Sequence, residues 1–175
     1  MTRSGPVRVG LIGAGWMGRF HGQTLARRLP EAELVAVADP APGAARQAAD
    51  ELGARQAYQD PADLIGDPAV EAVVIASPAH FHTDLVVAAA AAGQAIFVEK
   101  PMALTVADAD RAIAAAAAAG VPLQVGFNRR FAAGFAAARR VIDDGGIGTP
   151  QLLRSLTRDP EIGRASCRER VYHPV

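Results

Sequence analysis

Val7-Arg8-Val9-Gly10-Leu11-Ile12-Gly13-Ala14-Gly15-Trp16-Met17-Gly18 decides how the rest of the chain is read. Residues 7–12 form a short apolar strand, and the six that follow match G-x-G-x-x-G where a helix begins and runs to about residue 29. Each glycine has a physical task there. Gly13 permits the tight turn, Gly15 lets backbone approach a pyrophosphate, and Gly18 lets helix and strand pack closely. The helix N-terminus adds free N–H groups and partial positive charge, so Ala14, Trp16 and Met17 join the glycines as candidate dinucleotide-binding residues.

A second apolar strand, residues 34–38, ends in Asp39-Pro40, about 20 residues after the glycines, where such a loop needs an acidic partner. A carboxylate there accepts hydrogen bonds from both ribose hydroxyls and repels a 2′-phosphate. The following Pro40-Ala41-Pro42-Gly43 offers no arginine to neutralise one. NAD is therefore expected as cofactor, in preference to NADP. An N-cap of the next helix is the plain alternative for Asp39.

Strand and helix signals continue to alternate: helix at 44–52, a link through Tyr58, a brief helix from Asp60-Pro61 to near Gly66, and strand at 70–76. Then come helix at 83–92, strand at 95–98, a long helix from the N-cap Thr105 to Ala119, and strand at 121–125. Near-continuous apolar strands joined by crossover helices mean parallel strands covered on both faces. The expected fold class is α/β, a doubly wound parallel sheet forming a Rossmann NAD-binding domain over residues 1–126. From Phe127 the pattern changes to an amphipathic helix at 131–144 and an exposed-type strand at 151–157. Residues 127–160 are read as the start of an incomplete α/β second domain.

Among 18 Lys and Arg residues there is one lysine, Lys100, in Glu99-Lys100-Pro101 at the end of the strand 95–98. A lysine whose pKa is lowered can exchange a proton near neutral pH, and arginine cannot. Open α/β sheets also place their ligand crevice at carboxyl strand ends. Lys100 is thus a candidate catalytic residue, and Glu99 and Lys100 are candidate cofactor neighbours; a plain surface lysine is the alternative. Ser77-Pro78-Ala79-His80-Phe81-His82 follows the third predicted strand at the same edge. Ser77 and Pro78 let the loop pass close to a cofactor, while His82 can contact it or serve structurally at the helix start. A His-x-His metal site lacks a neighbouring Cys or Glu, so no metal is expected. Asn128 and Arg129, where the sheet edge meets the second domain, can face nicotinamide or substrate, whereas Arg130 reads as a solvated helix start.

Half the residues are apolar and the formal net charge is zero, with no block of like charge, so no nucleic-acid partner is expected. The first six residues lack the apolar core of a signal peptide, and no apolar stretch reaches the roughly 18 residues of a membrane span. A single cysteine, Cys167, fits a reducing cytoplasm. Residues 161–175 differ from the rest. EIGRASCRERVY has no apolar periodicity and resembles the frame translation of a common sequencing adapter, so this tail is set apart from the fold as non-native sequence.

GAGWMG with Asp39, ASPAHFH, AGQAIFVEKP and VGFNRRF, in that order and spacing, resemble the glucose–fructose oxidoreductase, inositol dehydrogenase and rhizopine-catabolism (Gfo/Idh/MocA) family. The resemblance covers residues 7–160, and residues 153–160 are similar to the inositol-dehydrogenase branch; Ala79 stands where many members carry asparagine. It implies an enzyme longer than this chain, with a second α/β domain that binds substrate and makes homo-oligomer contacts. The implied reaction passes hydride from a CH–OH carbon of a cyclic polyol or sugar, inositol-like, to NAD. In that reaction the lysine of Glu-Lys-Pro hydrogen-bonds the reacting hydroxyl, and a second-domain histidine with an aspartate removes the proton. The implied outcome for this chain is NAD binding without turnover, with an open strand edge at 151–157. Two other readings are a non-catalytic redox-sensing NAD module, for which no partner-binding element is visible, and an NAD-dependent glycosidase sharing the same first domain.

Overall fold

The computed structural model describes residues 5–158 and 167–172. Strand β1 (Val7–Ile12) sits inside a six-stranded sheet with β2 (Ala32–Ala38), β3 (Gln56–Tyr58), β4 (Ala72–Ile75), β5 (Ala95–Val98) and β6 (Leu123–Val125). The order is β3-β2-β1-β4-β5-β6 and all pairings are parallel. Leu11 is in register with Val37 on one side and Val74 on the other. Because the chain reverses its direction of winding between β1 and β4, their carboxyl ends diverge and leave a crevice.

Successive residues of β1 feed opposite faces of the sheet, as the two-residue strand period requires. Val9 and Leu11 pack with Leu34, Val37 and the small face of α2 (Ala44–Leu52): Ala45, Ala48, Ala49 and Leu52. Ile12 points the other way, into a cluster with Val73 and Ile75 and with Leu64 of α3 (Pro61–Ile65). Val86 and Ala89 of α4 (His82–Ala91) and Ala112 of α5 (Val106–Ala119) complete that cluster. Leu11, Ile12, Leu64 and Ile75 are fully buried, each contributing about 1.5–3 kcal/mol of transfer free energy. Both faces are covered, and the doubly wound class expected from the pattern is the one observed.

Local signals set the helix ends. Asp60 accepts the Ala62 N–H at 2.8 Å ahead of Pro61, and Thr105 Oγ1 accepts the Asp108 N–H at 3.1 Å, starting α3 and α5 where the sequence places them. Gln94, buried before β5, donates from Nε2 to Ile65 O and Val70 O at 3.1 Å each, tying the end of α3 to the approach of β4.

Two expectations are corrected. The link between α2 and α3 contains the strand β3, for Gln56, Ala57 and Tyr58 pair with Ala36, Val37 and Ala38 along the free edge of β2. Three residues with no apolar run carry no strand pattern; the open backbone edge beside them makes the strand. At its end the Tyr58 hydroxyl donates to Asp67 at 3.0 Å, and burial followed by that bond pushes its pKa up.

The chain divides into two compact units, Met1–Phe127 and Asn128–Val175. The second opens with a 3-10 turn at Asn128–Phe131 and continues through α6 (Ala133–Asp143), β7 (Leu153–Arg158) and β8 (Cys167–Tyr172). Arg139 Nε donates to the Asp143 carboxylate along α6. The second correction falls here. The strand expected to stand unpaired is joined antiparallel to β8, Leu153 opposite Tyr172 and Arg158 opposite Cys167. Part of the segment set apart from the fold therefore pairs with it, since ladder hydrogen bonds come from the backbone and need no apolar periodicity. Residues 161–166 and 173–175 of that segment lie outside the described residues. Among the described residues, no helix is long and apolar enough to cross a membrane.

Candidate cofactor and active site

The carboxyl ends of β1, β2 and β4 open into a cavity of about 610 Å³, lined by Ile12, Gly13, Gly15, Asp39, Ser77 and Pro78, with Phe81 and Leu85 from the far side. Roughly 300–1,000 Å³ is usual for a small-molecule or cofactor site. Its floor is the glycine loop. Gly13 has φ +100°, and a Cβ there would stand 2.7 Å from Ala76 O at the end of β4; its N–H donates to Ala38 O at 2.8 Å. A Cβ on Gly18 would come within 1.8 Å of Gly13 O, so the first turn of α1 (Trp16–Arg28) lies directly on the loop.

Gly15 is different, because a Cβ there would meet nothing within 4 Å. The loop is open on the side a ligand approaches, and α1 starts with no side-chain cap, leaving first-turn N–H groups for an anion. The residues present fit the pyrophosphate of a dinucleotide.

Asp39 has two duties. Its Oδ2 accepts the Ala14 N–H at 2.7 Å and its Oδ1 accepts the Ala41 N–H at 2.9 Å, so it braces the glycine loop against the end of β2. It does not cap α2, whose N-cap is Gly43. A carboxylate has about four lone-pair sites, so both oxygens keep acceptor capacity toward ribose hydroxyls. Ala14 contributes its N–H to that brace while its methyl is buried. Trp16 is 80% exposed and stacks on Phe20 with centroids 6.5 Å apart, and Met17 is half-buried.

Two residues expected beside the cofactor, His82 and Glu99, have protein partners for their side-chain polar atoms. His82 is buried, with Nδ1 2.8 Å from Pro101 O and Nε2 2.8 Å from Ser77 O. The Glu99 carboxylate turns to protein partners: His21 Nε2 lies 2.8 Å from Oε1, and the Lys100 N–H donates to Oε2 at 3.0 Å. Lys100 follows β5, is exposed, and precedes a cis Lys100–Pro101 bond; among the described residues its Nζ has no partner. Asn128 is exposed in the opening turn of the second unit. Among the described residues, no three His, Cys, Asp or Glu side chains come together to hold a metal.

His21 was not singled out from the sequence. It lies three residues after Gly18 on the stripe Gly18, Gly22 and Leu25 that packs toward the sheet, and a histidine beside such an inward stripe is the available signal.

A glycine loop and a carboxylate around a crevice at the switch point of this strand order define a dinucleotide-binding Rossmann domain. The chain belongs to the GFO_IDH_MocA family, an oxidoreductase family with an NAD-binding Rossmann fold, whose profile matches residues 7–127. It is 41% identical over 153 residues to scyllo-inositol 2-dehydrogenase (NAD(+)) of Bacillus subtilis (strain 168), covering 87% of this chain and 45% of that protein. It is 40% identical over 154 residues to myo-inositol 2-dehydrogenase of Thermotoga maritima, covering 88% and 46%. Among solved structures, scyllo-inositol dehydrogenase from Lactobacillus casei with bound cofactor NAD(H) and scyllo-inositol matches with TM-score 0.80 at 29% identity, covering 83% of this chain and 43% of that one. Myo-inositol dehydrogenase from the same organism, in complex with NAD(H) and myo-inositol, matches with TM-score 0.81 at 35% identity, covering 86% and 45%. The chain spans a little under half the length of these relatives.

Proposed function

We propose that this chain is the NAD-binding part of a dehydrogenase that oxidises a CH–OH group of a cyclic polyol or sugar, inositol-like. The observation that carries it is the placement of Lys100: a lone lysine at a carboxyl strand end of the sheet, exposed, with Nζ free of protein partners among the described residues. Bound NAD supplies the hydride acceptor. The chain's own residues hold and orient. First-turn N–H groups of α1 take the pyrophosphate, Asp39 takes the adenosine ribose, and Ser77 and Pro78 flank the cofactor. Lys100 donates from Nζ to the reacting oxygen, steadying the charge that develops as the hydroxyl loses its proton. The base is a histidine supported by an aspartate, as the family resemblance implies, and belongs to a second half beyond the family match. The names of the relatives support the inositol-like substrate.

Asp39 sets the cofactor test. Trp16 is the chain's one tryptophan and begins the helix under the pyrophosphate site, so its emission reports binding. NAD is expected to bind about tenfold or more tighter than NADP, because a 2′-phosphate would face the Asp39 carboxylate, and Pro40-Ala41-Pro42-Gly43 after it include no arginine. Equal affinities would remove Asp39 from ribose recognition.

The same reading treats residues 161–175 as foreign sequence, since a two-stranded ribbon asks little of side-chain identity. Genomic DNA read past Pro160 is expected to encode further second-domain sequence in place of the tail. The same tail found in the genome overturns this.

A further inference from the structure

We infer that His21 and His82 are positioning residues for Lys100, anchoring the chain immediately before and immediately after it. This rests on the proposed role of Lys100 as hydrogen-bond donor to the substrate. A lysine on a flexible four-carbon stem has much rotamer freedom, so the accuracy of its Nζ depends on how firmly its backbone is held.

Upstream, the anchor is the Glu99 side chain. The Glu99 N–H donates to Ile75 O at 2.9 Å, fixing it to the end of β4. Its carboxylate takes the ring N–H of His21 at 2.8 Å and the Lys100 N–H at 3.0 Å. The His21 and Glu99 side chains are only 20% and 13% exposed, and the His21 ring meets Phe97 edge-on with centroids 5.2 Å apart. Gly126 closes on the same carboxylate; a Cβ there would press to 3.2 Å from Glu99 Cδ. Downstream, the anchor is the Pro101 carbonyl. His82, 1% exposed, sits with one ring nitrogen 2.8 Å from that oxygen and the other 2.8 Å from Ser77 O. A neutral imidazole donates to one of the two carbonyls and an imidazolium to both.

Each anchor begins in an element that builds the cofactor cavity. His21 belongs to α1, whose first turn faces the pyrophosphate, and His82 grips Ser77, which lines the cavity. Lys100 is thereby held in fixed relation to the bound dinucleotide. A displacement of about 1 Å at such a group can cost about 10²-fold in rate.

The test uses the single lysine. Reductive 13C-methylation of the whole chain gives one lysine resonance, which keeps its charge and reports the surroundings of Lys100, while Trp16 emission gives the NAD Kd independently. In the wild-type chain NAD is expected to shift that resonance. His21→Phe and His82→Phe fill the same space without an N–H donor. Each is expected to leave the Kd unchanged and abolish the shift, and His21→Gln and His82→Gln, which donate again, are expected to restore it. Glu99→Gln, which loses a carboxylate oxygen at constant volume, decides the upstream anchor if a Phe variant does not fold; there too the shift is expected to be lost. A wild-type-sized shift in the Phe variants or in Glu99→Gln overturns the inference while leaving the role of Lys100 standing. Binding reported by Trp16 with no shift in the wild-type chain overturns the role of Lys100 itself, and the anchors with it.

Discussion

Lys100→Met, in a protein that carries residues 7–127 together with a complete second half, is expected to lower kcat about 10²-fold or more and leave the NAD Kd unchanged. Methionine matches the length and apolar stem of lysine but has neither charge nor N–H. The substitution therefore removes a donor aimed at the charge that develops on the substrate oxygen and little else. Removing one such donor, or one general acid–base group, typically costs about 10²–10⁴-fold, which sets the scale. NAD affinity is spared because the cavity is lined by the glycine loop, Asp39 and the Ser77-Pro78 loop, and Lys100 is not among the lining residues. The exposure of the side chain and its lack of an ion pair among the described residues mean that stability is not expected to fall either. Turnover, NAD titration and thermal melting of the variant measure all three. An unchanged kcat would take Lys100 out of the mechanism.

Gly18→Ala is expected to damage both stability and cofactor binding, and Gly15→Ala binding alone. At Gly18 the new methyl would overlap Gly13 O, a backbone atom that cannot swing aside, at 1.8 Å. Helix α1 must then lift off the loop, with a loss of about 1–3 kcal/mol in the usual range for overpacking. The lift also moves the first-turn N–H groups, and NAD affinity is expected to drop about tenfold or more. At Gly15 nothing lies within 4 Å of the new methyl and the backbone is in an ordinary extended conformation, so the melting temperature is expected to hold. Its methyl stands where a pyrophosphate would rest against the backbone, so NAD affinity falls. Denaturation curves and Trp16 emission for the two variants separate the effects. A Gly18→Ala chain of wild-type stability would show that the close packing of loop and helix is not needed.

Much of the first unit was legible residue by residue. The apolar run before Gly13, the glycine spacing, the caps at Asp60 and Thr105 and the alanine-rich inner faces of α2, α4 and α5 all express local preferences, and each local preference agrees with the sheet that forms. The misses share a cause. β3 exists because β2 has a free edge, and β7 is paired because β8 lies within reach; neither fact is written in Gln56-Ala57-Tyr58 or in residues 153–158 themselves. That the polar atoms of His82 and Glu99 meet Pro101, Ser77 and His21 is likewise not written in the residues around them.

The sequence alone determined the doubly wound parallel fold, the glycine loop with its acidic partner, and the place of the single lysine, Lys100, at a carboxyl strand end. These follow from periodicity and spacing within one strand–turn–helix unit, where chain connectivity dictates which groups meet. Tertiary structure alone decided that Asp39 also braces Ala14, 25 residues away, and that His82 grips Pro101 across 19 residues. It also joined Glu99 to His21 across 78 residues. Such pairs form only when separate elements have packed, because a side-chain hydrogen bond depends on ångström-scale geometry that no local pattern encodes.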